Sequence, residues 1–417
     1  MNMHRMNMHR MKLHRRIPVT VAVFLFLLAP LVAPGQQTLD LRAVLSAADA
    51  ANLELRVARQ QRALALAGLT TARQLPNPTL GFTAARDTPH EGVSLDLPIE
   101  LGGKRGKRMA IAQEEQRSTE IDIAVLGQQI RRRTREAFFR SLAARGQTLQ
   151  AKAALDLSRR VHDLVQQRFE AGAVAQLEVL QAEVELARST ADYETTAQLQ
   201  RAADVTLAAL LNRSISGTLP IDGRLDDVPQ AASLETLTNE AMRTNADLQK
   251  SAQDLKTEER RLELAKTQKI PNLDLSVGAD FNSPPDFQTG AKGGLAISIP
   301  LFYRGQGEVA LSSARMELLR LTIASQQTSV SAQVASAYFD YVAKARQAQQ
   351  YREPIVPQTA RMEQMAEDSY QAGKTSVLTL LDAQRRLNEI QKAYLDTLFA
   401  VQSSFATLEE AVGAPLD

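Results

Sequence analysis

The chain repeats itself, and that repeat constrains the fold more than any other feature. LPNPTL at 75–80 returns as IPNLDL at 270–275, and LDLPIELGGKRG at 95–106 returns as ISIPLFYRGQG at 297–307. Ala137-Phe138-Phe139 answers Ala337-Tyr338-Phe339. RFEAG at 168–172 answers SYQAG at 369–373, after which Leu177/Leu378 and Ala182/Ala383 stay in register at an offset of 201. Two halves built to one plan must bury their apolar faces against each other or against further copies, because a single supersecondary unit cannot cover its own.

Proline placement outlines that unit. After residue 35 the prolines fall at 76–98, 220–229, 271–300, 354–357 and 415, and none lies between Pro98 and Pro220. The Pro-free stretch is rich in Ala, Leu, Gln, Glu and Arg, strong helix formers, whereas Pro breaks helices. Near the carboxyl end Leu387, Ile390, Tyr394, Leu398, Val401, Phe405, Leu408 and Val412 recur every three or four residues, a near-heptad stripe suited to long helices packed at shallow angles. Inside the proline clusters the period changes to two. Leu80/Phe82/Ala84, Val93/Leu95/Leu97, Leu273/Leu275/Val277/Ala279/Phe281 and Leu295/Ile297/Ile299 alternate with small or polar residues around loops at 86–92 and 282–292. These read as two β-hairpins, and isolated hairpins are marginal unless they pair further.

The expected organisation is mainly α with a small β part. A first repeat spans 36–220, with a hairpin at 77–98 and helices at about 38–75, 104–170 and 175–212. A second spans 221–417, with a hairpin at 271–300 and helices at about 233–269, 303–372 and 376–412. At 1.5 Å per residue the long helix is about 100 Å and each flanking helix about 57 Å, too long for a compact globule.

Residues 1–35 read as a signal peptide. Five basic and no acidic residues lie in Met1–Arg16, followed by the apolar run VTVAVFLFLLAPLV and a small-x-small site at Ala33-Pro34-Gly35. The run is short for a membrane-spanning helix. The remaining chain carries 44 basic against 47 acidic residues, which offers no footprint for nucleic acid. With no Cys and only His90 and His162 beyond the first 35 residues, thiolate zinc sites, catalytic thiols and histidine-built catalysis have no raw material, so neither an enzyme nor a cofactor is expected. Two glycine-and-lysine stretches are not phosphate loops: 102–108 lacks the terminal Lys-Ser/Thr order, and before Gly373-Lys374-Thr375 the required first glycine is Asp368.

The twofold repeat, the proline-bounded hairpins, the RFEAG…LEVLQAE and SYQAG…LTLLDAQ turns and the EPIVPQ kink together resemble the TolC-type outer membrane efflux proteins, over essentially all of 38–413. The resemblance implies a homotrimer. Its protomers would share one 12-stranded outer-membrane β-barrel, continuous with a periplasmic α-helical barrel. Physics points the same way: four strands per chain cannot close a barrel, and open edges are not tolerated in lipid. The implied role is the exit duct of a tripartite efflux system. It would pass metal cations, drugs or other small molecules from an inner-membrane pump of the resistance-nodulation-division type and a periplasmic adaptor. PIELGGKRGKR at 98–108 looks most like the heavy-metal (cobalt-zinc-cadmium) branch. The rival reading is an exported non-pore coiled-coil scaffold or adhesin, which would need no lipid-facing hairpins.

Site residues follow from the same resemblance. Gly172 and Gly373 would turn the chain at the periplasmic tip, where Arg168, Leu177 and Leu378 also fall, and that tip would dock the adaptor. Tyr370 and Glu178 match a linked pair that holds the tip shut, and Asp382 matches an acid ring at the constriction. A second ring acid is replaced by Thr379 and an Arg partner by Thr375. Lys104, Arg105, Lys107 and Arg108 would lie at the membrane surface and reach lipid head groups. Arg131-Arg132-Arg133 and Arg135, mid-helix, read as a solvated, salt-bridged face.

Overall fold

The computed structural model describes residues 38–214, 219–283, 285 and 287–416, which form one compact unit. The expected signal segment lies outside the described residues.

Each half opens with two helices where one was expected. In the first, α1 (Leu41–Ala51) and α2 (Leu53–Arg73) meet at Asn52; in the second, α5 (Leu234–Thr244) and α6 (Ala246–Thr267) meet at Asn245. Both asparagines have ψ 126, outside the helical range, and their side chains cap the following helix. Asn52 Oδ1 accepts from the Leu55 amide at 3.2 Å, and Asn245 Oδ1 accepts from Asp247 and Leu248. Their Nδ2 groups donate to Leu210 and Ala411 carbonyls near the ends of α4 (Gln176–Leu210) and α9 (Val377–Val412). One side chain thus satisfies orphaned groups on two helices.

The hairpins are β1 (Thr79–Ala84) with β2 (Glu91–Ile99), and β3 (Leu273–Ser283) with β4 (Phe287–Ile297). They join through an antiparallel β2–β3 pairing into one sheet of order β1-β2-β3-β4. The loop expected at 282–292 is a correction: β3 and β4 stay paired out to Ser283↔Phe287. Residues 288–294, QTGAKGG, are small or polar on both faces, so the apolar alternation fades while the backbone ladder continues. Apolar alternation reports burial, not strand.

Helix α3 (Lys104–Glu170) runs 67 residues without a break, about 100 Å by its rise. Its counterpart is divided into α7 (Gln306–Gln350), a five-residue π turn (Tyr351–Ile355) and α8 (Val356–Gln371). Pro354 supplies no amide and its ring crowds the preceding turn, so the backbone widens there. Pro357, in the first turn of α8, needs no donor. Helix α3 packs on α2, α4, α6 and α9, α7 packs on α5, α6 and α9, and α8 packs on α9.

Three apolar clusters hold these contacts. One joins α1–α4 around Leu55, Ile130, Phe138 and Leu207, and another joins α5, α7 and α9 around Val334, Tyr341, Val401 and Phe405. The third sits where α3, α4, α8 and α9 turn back, around Val165, Val179, Leu380 and Leu381. Each fully buried side chain of this size contributes about 1.5–3 kcal/mol.

The arginines of 131–135 are salt-bridged as expected, with Arg131, Arg132 and Arg133 partly in solvent, but Arg135 is not on a solvated face. Arg135 is 2% exposed, donates to Glu409 Oε2 at 2.9 Å, and lies over the Phe405 ring at 4.8 Å. Arg133 pairs with Glu54 and Arg132 with Glu410, so this stretch ties α3 to α2 and α9. The sequence pattern is polar, but the helix is enclosed on several sides, and partners from distant sequence neutralise the charges.

Candidate functional site

Two tight turns make the tip. Gly172 (φ +73) ends α3 and Gly373 (φ +70) ends α8, both in the left-handed region that favours glycine. At the first, Gly172 N donates to Phe169 O and Ala173 N to Arg168 O; at the second, Gly373 N donates to Tyr370 O and Lys374 N to Ser369 O. These bonds close otherwise orphaned helix carbonyls.

Arg168 crosses from one turn to the other. Its Nη1 donates to Tyr370 O at 2.9 Å, and its guanidinium lies 4.9 Å from the centre of the Tyr370 ring. Tyr370 is 1% exposed, packed in the third apolar cluster. Burial first, then the Glu178 charge, pushes its phenol pKa above the ordinary value, while Arg168 opposes the shift. Tyr370 and Glu178 are therefore neighbours. Yet among the described residues neither the phenol oxygen nor Glu178 Oε2 closes a hydrogen bond of ordinary geometry. Glu178 sits in the first turn of α4, where the helix dipole favours its charge.

Asp382 is exposed in α9 and accepts from Arg386 Nε at 3.1 Å, one turn along the same helix. Leu177 and Leu378, at matching positions after the two turns, both point to solvent. Thr375 Oγ1 is buried without a hydrogen-bond partner among the described residues, whereas Thr379 lies near the Ser376 hydroxyl.

One pair here escapes a reading of the sequence. Arg385 donates to Glu185 Oε2 through Nε at 2.8 Å and Nη2 at 2.7 Å, which fastens α9 to α4. Glu185 is 5% exposed. Neither residue stands out in sequence, since each occupies an ordinary charged position on a charged helix. The only cue is that they lie 200 positions apart, close to the repeat offset.

The basic segment 104–108 follows closely on β2, and its side chains have partners within the chain. Lys104 is 7% exposed and donates to Ile270 O and Asn272 Oδ1, each at 2.7 Å. Arg105 donates to Arg73 O, Lys107 pairs with Glu263, and Arg108 pairs with Glu100. All four fasten the start of α3 to neighbouring segments: Lys104, Arg105 and Arg108 reach carbonyls at or just past the ends of α2 and α6, and Lys107 and Arg108 reach the carboxylates of Glu263 and Glu100.

The sheet lies at this same start of α3, away from the two turns. The register aligns Leu80, Leu95 and Val277, and then Leu97, Leu275 and Leu295, on one face. Most of these side chains are exposed. Across the opposite face run Thr79, Asp96, Ser276 and Gly294, then Gly81, Ser94, Gly278 and Lys292, with Lys292 paired to Asp280. An exposed apolar face opposed to a polar, glycine-rich one suits a wall between lipid and water. Among the described residues no helix is long and apolar enough to cross a membrane, and no group of three or more metal-ligating side chains converges.

A match to the outer membrane efflux protein family runs over residues 44–213 and 237–414. The chain belongs to that family. Its function is that of an outer-membrane exit duct for efflux; it is a channel, not an enzyme. Family members are trimeric outer-membrane channels with a periplasmic helical tunnel, working with an adaptor and a pump. The chain is 26% identical over 388 residues, 92% of either protein, to the cobalt-zinc-cadmium resistance protein CzcC of Cupriavidus metallidurans. It is 24% identical to the pyoverdine export outer membrane protein OpmQ of Pseudomonas aeruginosa, over 91% of this chain and 84% of that one. Its fold superposes on CusC with a TM-score of 0.74 at 17% identity, covering 90% of this chain and 92% of CusC.

Proposed function

We propose that three copies of this chain close one 12-stranded barrel in the outer membrane and one helical tunnel below it, and that the duct passes divalent metal cations. The observation that carries the closure is the open sheet. Among the described residues neither edge, β1 nor β4, pairs with a further strand, although the apolar face is that of a lipid wall. Closure by neighbouring copies satisfies both edges together. The helices follow the same logic. α2 packs on α3, α3 on α6 and α6 on α7, while Leu311, Leu318 and Leu321 of α7 and Val57 and Leu64 of α2 stay exposed. An α7 to α2 contact between copies continues the series.

In this reading the turns at Gly172 and Gly373, with Leu177 and Leu378, dock the adaptor, and the pump is of the resistance-nodulation-division type. Tyr370, Glu178 and Arg168 brace the closed tip, and three Asp382 carboxylates line its constriction. Metal cations are favoured as cargo by the likeness to CzcC across the whole length and by the 98–108 segment. The signal at 1–35 is removed on export, leaving the outer membrane and periplasm as the site of residence.

The test is complementation. Cells lacking their own outer-membrane metal duct, supplied with this chain and its adaptor and pump, should regain growth on zinc, cobalt or cadmium and lower their metal content. Restored drug or siderophore export with metal content unchanged would reject the cargo. Absence of any conductance in planar bilayers would favour the scaffold.

A further inference from the structure

We infer that the turn Leu301–Gln306 is the seat for the α2–β1 linker, residues 74–77, of a second copy of this chain, and that this joint lacks the lysine peg that secures its counterpart inside the chain. The inference rests on the trimeric reading above and names residues that reading leaves open.

The intrachain joint supplies the geometry. The α6–β3 linker, around Ile270 and Asn272, is clamped from two sides. On one side lies the start of α7, where a Cβ on Gly305 would come within 2.8 Å of Ala265 O and of Gln268 Cβ. On the other lies the start of α3. There Lys104 Nζ holds Ile270 O and Asn272 Oδ1, and a Cβ on Gly102 would come within 3.2 Å of Ile270 Cβ.

The α2–β1 linker is the repeat of that segment, LPN at 75–77 for IPN at 270–272. It is held from one side only. Arg105 donates to Arg73 O at 2.6 Å and Arg108 to Gln74 O at 3.3 Å, both from the start of α3. Its other flank is open: Leu75 is 66% exposed and Asn77 is exposed. The missing clamp would be a second α7 start. That segment is likewise bare in this chain, with Phe302 94% exposed and Ile299, Leu301 and Tyr303 also exposed. From Pro98/Pro300 to Gly103/Gly305 the two segments align at a constant offset of 202, so Gly102 matches Arg304 and Lys104 matches Gln306. Gly103 and Gly305 both cap their helices in the left-handed region.

Two bare surfaces that are the repeats of two mated ones fit each other across a subunit boundary. The chemistry of this second joint differs from the first. Gln306 is neutral and shorter in reach than lysine, and its amide is already engaged with Phe302 O and Arg304 N. The joint between copies is therefore apolar, built from Leu75 against Leu301 and the two aromatics, where the intrachain joint is a buried charge-assisted peg. Lipid is the competing cover for Phe302 and Tyr303, since Leu295, Ile297 and Ile299 continue the exposed face of β4 toward them. Lipid would cover the α7 start but not the exposed Leu75 flank of the linker, whereas a second copy covers both bare surfaces together.

The chain has no cysteine, so a paired-cysteine test has no background. Leu75→Cys and Arg304→Cys occupy the repeats of Ile270 and Gly102, whose Cβ separation approaches that of a disulfide, roughly 3.5–4.5 Å. The double variant, oxidised or bridged with a short bis-thiosulfonate in isolated outer membranes, should give covalent dimer and trimer; either single variant should give monomer. Leu75→Cys with Leu149→Cys, a position far along α3, should stay monomeric. Light scattering on the unoxidised detergent-extracted protein separates the failures. A trimer whose Leu75/Arg304 pair does not bridge overturns the joint and leaves the assembly standing, whereas a monomer overturns both. A monomer in which the two introduced thiols bridge within one chain also overturns the joint. If the cysteine pair blocks folding, Gln306→Lys decides: restoring the peg should raise the temperature at which the detergent-resistant trimer dissociates by several degrees, and no rise counts against the joint.

Discussion

Replacing Arg385 by methionine should loosen the tip far more than replacing its partner Glu185 by glutamine. The asymmetry follows from burial. The Glu185 side chain is 6% exposed and receives both guanidinium hydrogen bonds, while Arg385 is 35% exposed. Removing the arginine strands a carboxylate between α4 and α9, and breaking a buried pair in that way costs about 3–5 kcal/mol. Removing the charge of Glu185 keeps the amide shape, and the arginine, a third of it in water, resolvates for about 1 kcal/mol. A difference of about 3 kcal/mol is roughly a 150-fold change in the balance between closed and loosened protomers, applied three times in a trimer. The assay is the open fraction of single channels in planar bilayers, with thermal unfolding alongside. Arg385→Met should raise open time and lower the melting temperature well beyond Glu185→Gln. Glu185→Leu with Arg385→Leu should fall nearer wild type than Arg385→Met alone, because no charge is left buried. Equal effects of the two single substitutions, or none, would refute the argument.

Asp382→Asn should reduce cation selectivity and block by multivalent cations from the periplasmic side; unchanged selectivity would mean that the carboxylate faces solvent in the assembled duct. Tyr370→Phe should leave tip stability unchanged or slightly improved, since it removes a buried hydroxyl with no closed hydrogen bond and keeps the ring under Arg168; a clear loss would show that the bond to Glu178 forms. Arg135→Met should cost about 1.5–3 kcal/mol and lower the melting temperature, because Glu409 loses its buried charge-assisted bond while keeping Arg131 and the Leu416 amide nearby; an unchanged melting temperature would show that the pair adds nothing. Glu114, held below the ordinary carboxylate pKa first by Gln253 and then by Arg117, adds stability that is present above 4.5 and lost as pH falls through its folded value; the melting temperatures of wild type and Glu114→Gln should therefore converge in acid.

The repeat and the proline map made most of the architecture legible, because both report backbone constraints that act locally. An uninterrupted helix from Lys104 to Glu170 needs only helix formers and no proline over that length, and the sequence displays that directly. The divisions at Asn52 and Asn245 were less visible. A cap inside a helical pattern looks like one polar residue on the outer face, and its force lies in a second bond, to Leu210 or Ala411, that only the folded chain supplies. The extension of β3 and β4 through a glycine-rich stretch was hidden for the converse reason. Strands that line water on one side and end among small residues lose the alternation by which strands are recognised, while keeping their ladder.

Charge was the part of the site that sequence reported least well. Lys104, Arg135, Glu185 and Glu409 occupy positions that by type belong on a wet surface, and all four are buried. Each is paired across the boundary between the halves or between distant elements: Lys104 with Ile270 and Asn272, Arg135 with Glu409, and Glu185 with Arg385. Their partners lie 166 to 274 positions away. A helix enclosed on several sides has too little exterior for all its charges, so some must find counter-charges inside, and such a pair contributes register more than net stability. The duplication then explains why these pairs sit where they do. Two similar halves could slide by one heptad along α3 and α9 and still match apolar stripes. A buried arginine that finds its carboxylate at only one offset makes that slide costly, because a shifted register would leave two charges uncompensated in the core.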